Sequence, residues 1–284
     1  AATLIESSEK LRVFDFNIDV TRSYTFWSGL IGGIFLTAGT HGTDQMFVQR
    51  YLAARSARDA SRALVWSGIV VFVQFTIFLS LGLLLWVYYT TYAPTELEPI
   101  TAGGAIQTDQ VLPMFIVTHL PSGLRGLVIA AVVAAAMSTL SSSLNSSAAS
   151  TIGDFYLPAT HERHTEAHYF QASRVSTVVW AVVQLCVAIS AIGLSGRIID
   201  EVLGIQSLTS GLLLGLFALA VLPRKQELSP ISGIVIGATV LIALRLYTSV
   251  SWQWYVLAGS TTTFISAWTV GWILSKKNLI DRKS

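Results

Sequence analysis

Residues 138–151, STLSSSLNSSAAST, directly follow the apolar run LVIAAVVAAAM of residues 127–137. The fourteen residues carry nine hydroxyl side chains and one amide. One continuous segment is therefore apolar enough to enter a bilayer and is then lined with oxygen. A helix facing lipid has no reason to carry so many polar groups at depth, whereas one bordering a hydrated cavity, or stripping water from a cation, does. On a helix, Ser138, Ser141, Ser142 and Asn145 share a face, because positions three and four apart stack. Ser138 and Thr139 stand where the apolar half meets the polar half. A small hard cation takes several oxygen ligands, and hydroxyls with freed backbone carbonyls supply them without a permanent negative charge. Helix packing through small residues and interhelical hydrogen bonds accounts for the same pattern, so both readings stand at this point.

The rest of the chain agrees with a membrane setting. It is 52% hydrophobic and only 12% charged, where soluble domains carry roughly 25% charged residues. The charges cluster between long apolar runs, too long for barrel strands of about 10 residues, so the class is all-α and polytopic. No basic patch interleaved with aromatics points to nucleic acid. Cys186 lies in an apolar run and reads as a small packed side chain. The opening AATLIESSEKLRVFDFN has no initiator Met and no basic segment before an apolar core. It reads as a loop cut from something longer rather than a signal peptide.

Seven spans follow from length and hydropathy: residues 24–47, 63–89, 123–151, 172–194, 202–222, 231–247 and 254–274. A short apolar piece, residues 111–119, contains Pro113 and is followed by Pro121. Arg50, Arg55, Arg58, Arg62, Arg163, Arg174, Arg224, Lys225, Lys276, Lys277, Arg282 and Lys283 fall on one side, twelve of eighteen basic residues. That side is assigned to the cytoplasm, with the amino terminus outside. Glu96, Glu98, Asp109, Asp200 and Glu201 fall opposite. Trp27, Trp86, Trp252, Trp254 and Tyr255 lie near the expected interfaces.

Within the first span, Gly39 and Gly42 flank Thr40 and His41, a place for a helix to unwind. At its inner end, Asp44, Gln45, Gln49 and Arg50 are polar; Arg50 and Gln49 read as interfacial, whereas an intramembrane Asp44 or His41 is a functional candidate. Gln74, Gln184 and Gln206 lie inside later spans, as interhelical contacts or solute ligands; Gln206, followed by Ser207, Thr209 and Ser210, is the strongest of these. His161, His164 and His168 read as a solvated loop rather than a metal site. No GxSxG, Walker or HExxH pattern is present, so the chain is not read as an enzyme. A serine hydrolase pairing Ser138 with His41 has no motif behind it.

Three stretches, GTDQMFVQRYLAARS (42–56), LPSGLRGLVIAAVVAAAMSTLSSSLNSSAASTIGDFY (120–156) and VLGIQSLTSGLLLGLF (202–217), resemble the sodium/solute symporter family. The resemblance implies an inverted-repeat, LeuT-like transporter fold with a site at the midplane. It divides the chain into an extracellular loop, 1–23, a second five-helix repeat, 24–222, and two trailing helices with a cytoplasmic tail, 223–284. An amino-terminal repeat of the same transporter is then the missing partner. By the same resemblance, Ser138 and Thr139 match the hydroxyl pair that ligates the shared sodium ion, and Ala135 matches a carbonyl ligand one turn earlier. Ser141 and Ser142 match second-sodium positions. Thr40 and His41 match a pair lining the inner substrate gate that is aromatic in sugar carriers, and Val71 stands where those carriers have a substrate Lys; both departures point away from sugar. Gln206 matches a substrate glutamine. The expectation is sodium-coupled symport of a small organic solute, with sodium as the coupling ion and Thr40, His41, Asp44 and Gln206 near the solute. The protein would be multi-pass, in the plasma or inner membrane. A seven-span receptor shares the topology and is the alternative.

Overall fold

The computed structural model describes residues 14–102, 105–161, 163–191, 197–221 and 229–281. Arg224, Lys225, Arg282 and Lys283, used above for orientation, lie outside the described residues, as does most of the opening loop. The chain is almost wholly helical, with one short antiparallel pairing of Thr101–Ala102 with Ala105–Ile106. By contacts it forms two units, one from Gln49–Arg197 and one from residues 14–48 with 198–281.

The first unit is built on α3, Ala57–Thr91, a helix of 35 residues, which spans ~52 Å at 1.5 Å per residue. Ser56 starts it: its extended backbone turns the hydroxyl onto the amide of Asp59 at 3.1 Å, and the same hydroxyl donates to the Asp59 carboxylate at 2.8 Å. Ser56 is thus a side-chain N-cap, with an acid in the first turn, where the helix dipole favours it. A 3-10 turn, Pro94–Ile100, the short strands and α4, Thr108–His119, follow. They fold back onto α3 around buried Leu85, Tyr89 and Ala93. His119 fastens them: its Nε2 lies 2.8 Å from the Tyr88 hydroxyl and 3.2 Å from Glu96, and its ring stacks on Phe115.

Next comes α5, Ser122–Ser150, carried on by a π-helical turn, Thr151–Tyr156, and a last turn, Leu157–Thr160. His161, in the left-handed conformation, ends it. α6, Glu166–Ala191, packs on α5. Gln184 donates to Ser143 at 2.9 Å and the Trp180 indole donates to Thr151 at 2.9 Å. Gln184 is thus an interhelical contact, as its position led one to expect. Cys186, expected to be packed, is exposed on α6; an apolar run alone does not say which face meets protein and which meets lipid.

The second unit contains a π-helical turn, Ser28–Gly32, leading into α1, Gly33–Thr43. With it go α7, Ile198–Ala220, α8, Pro230–Tyr247, a 3-10 turn, Trp252–Trp254, and α9, Tyr255–Asp281. Its packing is made of small side chains. On α7 the buried positions are Gly204, Ser207, Ser210, Gly211, Gly215 and Leu219; on α8 they are Gly233, Gly237 and Leu241. Spacings of three and four put each set on one face, and small residues let helices approach closely without help from the hydrophobic effect. α9 fills that approach with Val256, Ser260, Thr263 and Ala267, all buried. Gly215 shows how tight the seam is: a Cβ there would stand 2.7 Å from the Ser260 carbonyl and from Thr263 Cβ. Gly32 is held to glycine likewise, since a Cβ would meet the Gln253 carbonyl at 2.5 Å. At the end carrying Asp200 and Glu201, Arg245 of α8 pairs with Glu201 of α7 at 2.8 Å, and Asp200 accepts from the Trp252 indole at 3.1 Å and from the Tyr24 hydroxyl.

Among the described residues, five helices are long and apolar enough to cross a membrane: α3, Ser122–Thr160, α6, α7 and α8. The other two spans drawn from the sequence are helical but different in kind. The last, α9, is a 27-residue helix with a Gly-Ser-Thr-Thr-Thr stretch. The first is broken. The break does not fall between Gly39 and Gly42, where it was expected, but at Asp44, whose backbone leaves the helix at φ −80, ψ 118. Both glycines stay helical, and Gly39 lies against α7, where a Cβ would come within 3.1 Å of Ser210 Cβ.

Candidate ion and solute sites

The hydroxyl stretch divides by face. Ser143, Ser146, Ser147 and Ser150 follow a three-four spacing, and this side turns to α6: Ser146 is buried and Ser143 is bonded to Gln184. Ala135, Ser138, Thr139 and Ser141 are all exposed. The packing reading therefore holds for one side of the helix, and the residues read as ion ligands stand exposed on another.

On the exposed side, the Thr139 hydroxyl donates to the Ala135 carbonyl at 3.2 Å. That bond uses the hydroxyl's proton and leaves its oxygen lone pairs outward, beside those of the carbonyl. Two oxygens at this spacing subtend roughly a right angle at a cation ~2.4 Å from each, a normal distance for a hard cation and oxygen. Ser138 adds a third oxygen on the adjoining face. These groups bring no net charge.

Ser142 is in a different position. It is half-buried and accepts from the Arg50 guanidinium at 3.4 Å. Arg50 had been read as an interfacial residue; the structure puts its fixed positive charge beside a candidate ligand. Nothing in the local sequence signals a contact between residues 92 positions apart.

In the second unit, Gln206 of α7 donates to the Thr40 hydroxyl of α1 at 3.1 Å, so two candidate solute residues meet. Both are half-buried, as is His41, the next residue along, whose ring packs edge-on against Phe47 at 5.1 Å. The Gln206 carbonyl oxygen and the Thr40 hydroxyl proton remain for a ligand. Asp44 has a local task. Its carboxylate accepts from the Met46 amide at 2.9 Å and its carbonyl from the Val48 amide at 2.9 Å, so it caps the helix Gln45–Leu52, α2. Val71 and Gln74 are exposed on α3, and the His164 and His168 rings stack on each other at 4.3 Å, with His168 bonded to Tyr156.

The profile of the sodium:solute symporter family matches residues 9–237. Sodium-coupled monocarboxylate transporter 2 of Bos taurus is 27% identical over 235 residues, 82% of this chain and 37% of its own length. The sodium/iodide cotransporter of Homo sapiens is 27% identical over 251 residues, 87% of this chain and 37% of its own. The chain thus spans little more than a third of the length of these relatives. A solved structure of a Na+-coupled sialic acid symporter, substrate-bound and outward-open, superposes with a TM-score of 0.74 at 24% identity, covering 95% of this chain and 54% of that one. At that identity it speaks to the fold, the LeuT-like architecture that the motifs had implied. Carriers rather than enzymes or receptors populate these matches, which removes the seven-span receptor reading. On the profile match over most of its length, the chain is a multi-pass membrane protein belonging to the sodium:solute symporter family.

Proposed function

We propose that this chain forms the second half of a transporter core that carries a small organic solute with sodium, working with an amino-terminal repeat of the same transporter. The observation behind it is the Thr139 hydroxyl set against the Ala135 carbonyl on an exposed, oxygen-lined helix face. Sodium binds at Ala135, Ser138 and Thr139 and favours the solute-ready conformation. Only such a difference in affinity between conformations lets an ion gradient drive a solute. Ser141 and Ser142 form the second-ion position, which the Arg50 guanidinium beside Ser142 makes the weaker of the two. The solute contacts Thr40, His41 and Gln206, with Asp44 shaping the helix break below them. The membrane is the plasma or inner membrane.

The test is solute uptake by the full-length protein against sodium concentration. Ser138→Ala and Thr139→Ala each remove one oxygen ligand, worth about 1.5–3 kcal/mol for a bond to a charged group. The half-saturating sodium concentration should rise about tenfold or more. Unchanged sodium dependence in both variants overturns the site.

A further inference from the structure

The buried residues of α3, Leu85, Val87 and Tyr89, all lie near its far end. Its first turns are exposed and basic. Residues 53–66, AARSARDASRALVW, hold three arginines, Arg55, Arg58 and Arg62, and one acid, Asp59. All three arginines are exposed, and among the described residues none has a hydrogen-bond or ion-pair partner. Asp59 is engaged elsewhere: its carboxylate accepts from the Ser56 hydroxyl at 2.8 Å, and its amide donates to the same hydroxyl at 3.1 Å. The helix end is thus already capped, and the charge that stays unmatched is on the side of the helix.

Arg58 and Arg62 are four residues apart, so they stand one above the other, ~6 Å apart along the axis. Like charges at that spacing repel, and cations near a helix amino terminus oppose its dipole. The pair therefore costs the helix stability unless an anion lies between the guanidinium groups. The same face continues through Val65, Trp66, Ile69 and Val73, all exposed. No residue from Ala63 to Thr95 is charged. Leu64 to Trp86 alone gives ~34 Å of helix, enough for a hydrocarbon core of ~30 Å. With Leu64 at the edge of that core, Arg62 and Arg58 stand ~3 and ~9 Å beyond it, at the depth of a headgroup layer about 5–8 Å thick. Trp66 then sits at the boundary, where indole rings are favoured.

We propose that the Arg58–Arg62–Trp66 face of α3 holds an anionic phospholipid of the leaflet on the basic side. The two guanidinium groups donate to its phosphate oxygens, planar donors matched to phosphate. Its acyl chains run along Val65, Ile69 and Val73, and Arg55 adds to the attracting field. A zwitterionic lipid brings a cation of its own beside these arginines and is held less tightly.

The experiment is photolabelling of the full-length protein in phosphatidylcholine vesicles containing a small fraction of phosphatidylglycerol with a diazirine in its acyl chain, followed by peptide mapping. Labelling of residues 58–73 is expected. Unlabelled phosphatidylglycerol should displace it, whereas added phosphatidylcholine or millimolar inorganic phosphate should not. Arg58→Gln or Arg62→Gln should each weaken binding of the probe about fivefold, the worth of one arginine at an anionic surface, and the double variant more. Arg58→Lys with Arg62→Lys, which keeps the charge, should stay closer to wild type than the double glutamine variant. The proposal is overturned if the matching diazirine phosphatidylcholine labels the face equally well, if the double glutamine variant labels like wild type, or if inorganic phosphate displaces the probe. It is equally overturned if a benzophenone amino acid in place of Val65 crosslinks to another part of the protein, which would put polypeptide rather than lipid on this face.

Discussion

The two units are packed by different rules. In the second, α7, α8 and α9 meet through glycine, serine and threonine, and six of the 23 residues of α7 are buried. In the first, α3 buries only Leu85, Val87 and Tyr89 of its 35 residues, and α5 only Ser146 and Ala148 of 29. Lipid covers apolar flanks such as Phe72 and Val132 without cost, but it does not cover Ser138, Thr139 and Ser141. A helix seam of small residues is complete in itself; an exposed row of hydroxyls is complete only with water, an ion or another helix opposite. The hydroxyl face of the first unit therefore stands exposed, unlike the seam of the second.

The largest effect that would break this contrast is expected in the seam. At Gly237 a Cβ would overlap the Thr263 hydroxyl and come within 3.0 Å of Leu212. Gly237→Leu should cost about 3 kcal/mol or prevent folding, since overpacking forces the backbone to move. Gly68→Leu on α3, where a Cβ meets nothing within 4 Å, should be neutral or stabilise by up to ~1 kcal/mol through helix propensity. Melting of the purified full-length protein measures both, and equal losses would erase the distinction. Next comes the ion pair between α7 and α8. Arg245→Met leaves Glu201 unpaired, but both side chains are about a third exposed, at 37% and 31%. The loss should therefore be no more than ~1 kcal/mol. Smaller still is Gln184→Leu, which removes the bond to Ser143 that joins α6 to α5, worth about 0.6 kcal/mol in a membrane. Ser142→Ala sharpens the division within the hydroxyl face. With Ser142 in the second-ion position, its loss should lower the Hill coefficient for sodium towards one; an unchanged coefficient would remove Ser142 from the ligands.

Much of this was legible in the sequence. Five of the seven span positions follow from hydropathy alone, and the oxygen-rich half of α5 stands out against the apolar half before it. The two faces of that half were not separable, because serine serves packing and ligation equally; only the partners Gln184 and Trp180 mark one side as packed. The helix break was misplaced by two residues because glycine signals freedom, whereas the structure uses Gly39 for closeness to Ser210 and lets Asp44 end the helix by capping the next one. Cys186 shows the same limit: in an apolar helix, hydropathy does not distinguish protein from lipid. Long-range pairs such as Arg50 with Ser142, or Thr40 with Gln206, leave no local trace at all.

The claim on which the account turns is that Ala135, Ser138 and Thr139 hold the coupling ion. Direct sodium binding to the purified full-length protein tests it, comparing wild type with Thr139→Ala and Thr139→Ser in the absence of solute. The account predicts at least tenfold weaker binding for Thr139→Ala and recovery by Thr139→Ser, which restores the hydroxyl without the methyl. Equal sodium affinity in all three proteins would contradict it.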